Sequence, residues 1–310
     1  MDLSIIVPVF NEENSIKILA QEIQKVLSDY KYEIIFIDDG STDNSWDQIA
    51  SLNHNPNIKA LAFRRNIGKS AALDVGFQHA VGKVVVTMDS DLQDDPKEIP
   101  ELFNMITQQQ YDLVSGWKKK RLDPLSKTIP TKLYNWATRF VSGIYLHDFN
   151  CGLKAYRLSV VKDIRLSGEL HRYIPLLVKN LGYFKIGEKI VNHRVRTYGV
   201  TKYGGWNRFS NGLLDLISIT FLNKFGKNPM HLFGFLGISC FLIGLLIAAY
   251  LTYAKFILSQ FHMTDRPLFY FGLLCMIIGT QLFLSGFLGE LIIRNKPVSY
   301  IEKITKKIGY

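Results

Sequence analysis

Two uninterrupted apolar segments, Leu232–Ala254 and Leu268–Ile293, set the strongest limit on what this chain can fold into. A bilayer core is crossed by about 20 apolar residues of helix, and both segments reach that length. The first carries no charged residue and the second carries only Glu290. Buried helices of a soluble protein are the alternative. Such lengths with almost no charge point instead to two transmembrane helices joined by the polar link Lys255–Arg266. Glu290 stands one turn before Arg294, which reads as a snorkelling i,i+4 pair near the interface. Lys224, Lys227, Arg294, Lys296, Lys303, Lys306 and Lys307 flank the pair on one side, against Lys255 and Arg266 on the other. That imbalance places the large N-terminal region and the C-terminal tail in the cytoplasm.

Ahead of the spans, strand patterns alternate with helical ones. Strands are expected at Leu3–Val9, Glu33–Ile37, Ile58–Phe63, Val84–Val86 and Asp112–Trp117. Helices are expected from Asn14 or Ser15 to about Tyr30, after Asp43, and over Ser70–Ala80. This βαβ rhythm predicts a parallel, doubly wound α/β sheet. Ligands of such sheets sit beyond the carboxyl ends of the strands, and there the sequence is acidic. Val84–Val86 runs into Asp89-Ser90-Asp91-Leu92-Gln93. Side chains at i and i+2 of an extended chain share a face. Asp89 and Asp91 are therefore expected to reach one cation, with Gln93 adding a neutral oxygen. Donors of this kind suit Mg²⁺ or Mn²⁺, which keep positions open for substrate phosphates.

The second strand ends in Asp38-Asp39. Asp39 is placed to accept hydrogen bonds from a base or ribose, with a helix-capping loop acid as the alternative. Lys69 opens a helix, a position suited to a diphosphate; a solvated surface lysine is the alternative. No G-x-G-x-x-G follows the first strand. Gly68-Lys69-Ser70 has Phe63 where a P-loop needs its first glycine, so neither glycine-cradle motif is present.

A net charge of +10 and a pI near 9.3 over 310 residues call for an anionic partner. The charge gathers near the spans and no nucleic-acid recognition motif appears, which excludes a nucleic-acid binder and leaves a phosphorylated substrate or anionic lipid. Cys151, Cys240 and Cys275 lack paired spacing, which argues against a disulfide framework or a zinc site and fits a reducing compartment. The start, MDLSIIVPVF, has no basic n-region and too short an apolar run for a signal peptide.

Four segments together carry a resemblance: Ile6–Asn14 (IVPVFNEEN), Ile37–Asp43 (IDDGSTD), Asn66–Leu73 (NIGKSAAL) and Met88–Pro96 (MDSDLQDDP). In that order they resemble glycosyltransferase family two, and the match covers essentially the whole chain. Ser115–Trp117, Asp148–Arg157 (DFNCGLKAYR), Leu170–Pro175 (LHRYIP) and Gly199–Gly204 (GVTKYG) are similar to the polyprenyl-phosphate glycosyltransferases within it. The resemblance implies a GT-A fold, with Asp-x-Asp holding the metal, Mg²⁺ or Mn²⁺, of a nucleotide-diphospho-sugar. It implies that Pro8, Phe10, Glu12, Ile37 and Asp39 line the nucleoside site, with Lys69 and Ser90 also on the nucleotide. Asp89, Asp91 and Gln93 would face metal and diphosphate. Asp148 stands where the family has its candidate base. Lys118, Lys132, Arg172, Arg196 and Lys202 would meet the acceptor phosphate. Val195 and Thr201 depart from the Pro and Ser common there; Thr201 keeps the hydroxyl. The expected donor is UDP-glucose or a related UDP-sugar, the acceptor a polyprenyl phosphate, and the outcome inversion. A processive polysaccharide synthase would need a Q-x-x-R-W motif and more spans. A non-catalytic scaffold is opposed by intact Asp89, Asp91, Asp148 and Lys202.

The expected divisions are a catalytic domain over 1–205, an interfacial helix over 206–230, the two spans within 231–294 and a basic tail over 295–310. Ser126–Leu146 has helical spacing. Lys118–Arg121 could hold lipid headgroups, and Asn192–Lys202 reads as a lid over phosphate. Of the neighbours His171 and Arg172, the guanidinium is favoured for phosphate because its fork fits. Ser285 and Gly289 form a small-xxx-small step that points to self-association.

Overall fold

The computed structural model describes residues 1–119, 135, 138–139, 142–196, 229–257, 266–294 and 304–308. The chain divides into two compact units, Met1–Asp215 with Val298–Tyr310, and Leu216–Pro297.

In the first unit, β1 (Leu3–Val9), β2 (Tyr32–Asp38), β3 (Ile58–Phe63) and β4 (Val84–Thr87) are parallel, in spatial order β4-β1-β2-β3. The crossovers are α1 (Ile16–Val26), α2 (Ser45–Ala50) and α3 (Lys69–His79). Alternation along each strand divides the core between the two faces. Ile5, Val7, Ile34 and Phe36 pack with α1 on one side; Ile6, Ile35 and Ile37 pack with α3 on the other. With both faces covered, β2 is buried at every position, which is why these strands read as continuous apolar runs.

Beyond β4 the sheet is mixed. The order continues β4-β6-β5-β7, with β5 at Leu113–Trp117, β6 at Lys154–Arg157 and β7 at Ile186–Ile190. β6 runs antiparallel to both β4 and β5, while β5 and β7 are parallel. The expectation of an all-parallel sheet is therefore corrected at β6. The reason is the connection. β5 ends and β6 begins at the carboxyl end of the sheet, so the two must oppose each other. The described end of that connection, Asn150–Gly152, lines the cleft at the strand ends. The register pairs Thr87 with Lys154, and Thr87 Oγ1 donates to the Gly152 carbonyl at 2.8 Å. Helices α4 (Ile99–Thr107), α5 (Leu158–Asp163) and α6 (Ile174–Asn180) complete the layers.

At the opposite edge, β8 (Ile304–Ile308) pairs antiparallel with β3. The sequence reading took this stretch only as part of a basic tail; in the fold it closes an edge that would otherwise offer unpaired backbone groups.

In the second unit, α7 (Pro229–Phe256) and α8 (Pro267–Arg294) have 28 residues each, about 42 Å of helix. Both are long and apolar enough to cross a membrane, and they fit a transmembrane hairpin. They meet through glycines. A Cβ on Gly244 would lie 2.4 Å from the Gly272 carbonyl oxygen, and one on Gly237 would lie 2.6 Å from that of Gly279. Small residues of this kind let two backbones approach closely. Outward faces carry exposed Leu246, Phe256, Leu288 and Ile292. Among the expected features, the helix over 206–230 lies outside the described residues except at its end, as do most of Ser126–Leu146 and all of Gly199–Gly204.

Candidate active site

A cleft of about 330 Å³ opens at the carboxyl ends of β1, β2 and β4. Pro8, Phe10 and Glu12 reach it from the β1 end, Asp39 from the β2 end, and Lys69 from the start of α3. Asp89, Ser90, Asp91 and Gln93 line it after β4. Lys118, Lys154, His171, Arg172 and Arg196 supply its cationic and imidazole lining.

Asp39 is spent largely on the protein. Its Oδ1 accepts the Ile67 N–H at 2.8 Å, and its Oδ2 accepts the Gly68 N–H at 2.9 Å. The carboxylate thus shapes the β3–α3 loop that presents Lys69. Burial pushes its pKa up to about 6, against those two N–H groups.

Asp89 and Asp91 do share the cleft, but not along one extended face. β4 ends at Thr87, and the acids lie in the turn that follows, with Leu92 at φ 62°. Asp89 packs over Gly152, where a Cβ would fall 2.4 Å from Oδ2, so only glycine fits beneath the carboxylate. It is ion-paired with Lys69. Burial opposes its charge, yet Lys69, Lys118 and Lys154 hold its pKa down at about 2. Asp91 accepts the Gln93 N–H at 3.2 Å and stands 3.8 Å from Arg196 Nη1. Burial, then the charges of Asp89 and Asp94, raise its pKa to about 6.

The cations have distinct partners. Lys118 Nζ sits 2.8 Å from Asp94, whose side chain is fully buried, so this lysine is held in a structural pair at the cleft wall. Arg172 pairs with Glu169 at 3.1 Å. Arg196 reaches Glu12 through Nη2 and Asp91 through Nη1. The backbone leading to Arg196 is pinned by Arg194, which contacts Glu22 at 2.6 Å and Asp95 at 2.7 Å. Burial, with Lys69 and Arg172 nearby, holds His171 well below the usual imidazole range, so it is neutral. Ser70 Oγ lies 3.0 Å from its Nδ1 and accepts its backbone N–H at 3.0 Å.

Two expected site residues do not line the cleft. Ile37 is fully buried in the core against α3, because its place in β2 turns its side chain to the helix layer. Asp148 is 2% exposed. Its Oδ1 accepts the Asn150 N–H at 3.1 Å and its carbonyl accepts Ser115 Oγ–H at 3.2 Å. It shapes the turn that carries Asn150–Gly152 to the cleft. Lys132 and Lys202 lie outside the described residues.

The sequence reading missed Lys154 as a site residue. It is 3% exposed, donates to the Cys151 carbonyl and lines the cleft. Burial lowers its pKa, and the charges of Cys151, Asp148 and Asp89 oppose that. A lone lysine inside the otherwise uncharged Phe149–Tyr156 run was the available signal. His147 stacks on Trp117 at 4.0 Å and bonds Glu188, away from the cleft lining.

No group of three or more His, Cys, Asp or Glu able to hold a metal occurs among the described residues. Asp89, Asp91 and Gln93 nonetheless offer hard oxygens in one cleft. Burial raises Asp91 most, and the charges of Asp89 and Asp94 add to it; a divalent cation relieves that repulsion, so the donor set fits Mg²⁺ or Mn²⁺ completed by substrate oxygens.

Comparison with known proteins gives three findings. Residues 4–165 match the family described as glycosyl transferase family 2. The chain is 37% identical over 304 residues to dodecaprenyl-phosphate galacturonate synthase of Rhizobium johnstonii, covering 95% of this chain and 88% of that one. It is 32% identical to undecaprenyl-phosphate 4-deoxy-4-formamido-L-arabinose transferase of Pseudomonas syringae, covering 98% and 91%. Among solved structures it is similar to glucosyl-3-phosphoglycerate synthase of Mycobacterium tuberculosis. The complex with phosphoglyceric acid gives a TM-score of 0.55 at 19% identity, over 72% of this chain and 79% of that one. The complex with Mn²⁺, UDP and glucosyl-3-phosphoglycerate gives 0.55 at 19%, over 73% and 80%. That likeness is one of fold, and the fold is GT-A.

Proposed function

Because the chain belongs to glycosyl transferase family 2, we propose that it moves one sugar from a nucleotide-diphospho-sugar to a polyprenyl phosphate, inverting the anomeric carbon. The carrying observation is the division of charge in one cleft. Asp89 and Asp91 stand at the end of β4, and Lys69, Arg172 and Arg196 line the same space. The two curated relatives, similar over nearly the whole chain, are both named for polyprenyl-phosphate acceptors. Their names carry galacturonate and 4-deoxy-4-formamido-L-arabinose, not glucose. The donor is therefore a nucleotide-linked monosaccharide, with UDP-glucose one member of the panel to be tried.

In this reading Pro8, Phe10, Glu12 and Asp39 form the nucleoside end of the cleft, with Ser90 beside the diphosphate. Asp89, Asp91 and Gln93 would hold the divalent cation. When bound, that cation supplies charge stabilisation for the departing nucleoside diphosphate. Arg172 holds the attacking lipid phosphate in line with the anomeric carbon, with Arg196 shared between that phosphate and the donor's diphosphate. A lipid monophosphate is already anionic at neutral pH, so no side chain has to remove a proton from it. Asp148, behind the cleft wall, acts as a support for Lys154 and the Asn150–Gly152 turn. α7 and α8 anchor the chain in the membrane, with the catalytic domain on the cytoplasmic face as the charge asymmetry directs. Lys132 and Lys202 are further acceptor contacts, and the divisions at 205, 230 and 294 belong to the same proposal.

The test is to incubate the purified full chain with Mn²⁺, a panel of UDP-sugars and undecaprenyl phosphate, and to weigh the lipid. One added sugar of inverted configuration is expected. No lipid product from any donor, or chains longer than one sugar, would overturn the reading.

A further inference from the structure

Each of the two carboxylates offered to a divalent cation already faces a cation of the chain. Lys69 is paired with Asp89. Arg196 is paired with Glu12 and stands 3.8 Å from Asp91. These side chains keep between 18% and 33% of their surface exposed in Lys69, Asp89, Arg196 and Asp91, enough to exchange partners. The Lys118–Asp94 pair differs, since Asp94 has no exposed side-chain surface and cannot turn to a ligand.

We propose that Lys69 and Arg196 are exchangeable counter-ions: they hold Asp89 and Asp91 until the donor arrives, then pass to its diphosphate as the cation takes the acids. The proposal rests on the donor reading above. A divalent cation arriving alone must break two ion pairs and is left facing two displaced cations. A diphosphate arriving alone meets Glu12, Asp89 and Asp91 with their cations engaged. Arriving together, the two ligands swap partners with the protein, and every charge stays matched. Metal and diphosphate binding are then linked, each raising the affinity for the other. A merely structural pair makes a different prediction, because removing Lys69 would then only destabilise the fold.

The test is calorimetric, on the full chain in detergent, with Mn²⁺ and UDP as probes. Lys69→Met and Arg196→Met should each bind Mn²⁺ alone about tenfold tighter than wild type, and UDP alone about tenfold weaker. The variants act on different carboxylates, so loss of one to misfolding leaves the other decisive. Arg172→Met removes a cation from the same cleft that pairs with Glu169 instead. It controls for the general field and should change Mn²⁺ affinity by less than threefold. Unchanged or weaker Mn²⁺ binding in the folded variants, or an equal gain in Arg172→Met, would overturn the exchange. Failure of wild type to bind UDP even with Mn²⁺ would instead strike the donor reading.

Discussion

Asp91 is one of the two carboxylates offered to the cation in the proposed reaction, and it faces Arg196 as Asp89 faces Lys69. Asp91→Ala should lower turnover by at least about 100-fold, measured as lipid product per unit time with excess Mn²⁺. Full activity there would remove the metal role. Lys154→Met tests the residue that sequence reasoning missed. The substitution takes a donor from the buried Cys151 carbonyl, which costs about 1–3 kcal/mol, so turnover is compared at a temperature where the variant is folded. Turnover should fall at least about tenfold if the buried ammonium supports Asp89 and the incoming phosphate. Asp39 gives a pH dependence with a definite sign. Its folded-state pKa of about 6 lies above its ordinary 3.8, so the native state keeps a proton that the unfolded chain has already lost. That contribution is present at low pH and disappears as pH rises from about 4 through 6. Melting of the ligand-free protein should therefore weaken across that window, with Asp91 adding the same sign. The slope should be shallower in Asp39→Asn. At this scale the place of the acids was legible, because they directly follow apolar strands and the cleft opens at the strand ends; their roles were not, since Asp39 is taken up by backbone N–H groups. Ile37 was not, since residue type alone does not say which face of β2 it occupies. Lys154 was not, because its place depends on the pairing of β6 with Thr87.

Strand and helix periodicity located β1 to β5 and α1 to α3 closely, since both faces of the central sheet are buried and the apolar runs stand out. It failed where elements take their direction from non-local pairing. β6 and β8 are short, carry lysines, and become strands only because β4, β5 and β3 offer free edges. Ending the chain before Ile304 should expose the β3 edge. The expected result is a lower melting temperature and aggregation on heating, followed by light scattering. In the second unit the glycine contacts make a sharper case. Gly244→Leu would drive its Cβ into the Gly272 carbonyl. The expected loss is about 1–3 kcal/mol, the usual cost of overpacking, read by thermal unfolding in detergent. The glycines that meet between α7 and α8 are not the Ser285–Gly289 step singled out from sequence. That step remains a proposal for contact between copies of the chain.

Across the whole chain, the order of elements constrains topology. β8 follows two spans yet joins the sheet begun by β1. A chain that crosses a bilayer twice returns to the side it left, so two crossings agree with β8, where one would not. A cysteine placed in the link between α7 and α8 should then be labelled only from the side opposite the catalytic domain. The proposed reaction was read from the order of motifs that resemble the family, and those motifs are local in sequence: the acids after β2 and β4 and the lysine at α3. The sugar was not, because no motif specifies it and the cleft takes its lining from segments as far apart as Pro8 and Arg196. The most direct test is ³¹P NMR of undecaprenyl phosphate incubated with the purified chain, Mn²⁺ and an accepted UDP-sugar. The account predicts that the monoester signal is replaced by a sugar–phosphate diester, with one UDP released per diester formed. Release of UDP while the monoester signal persists would contradict it.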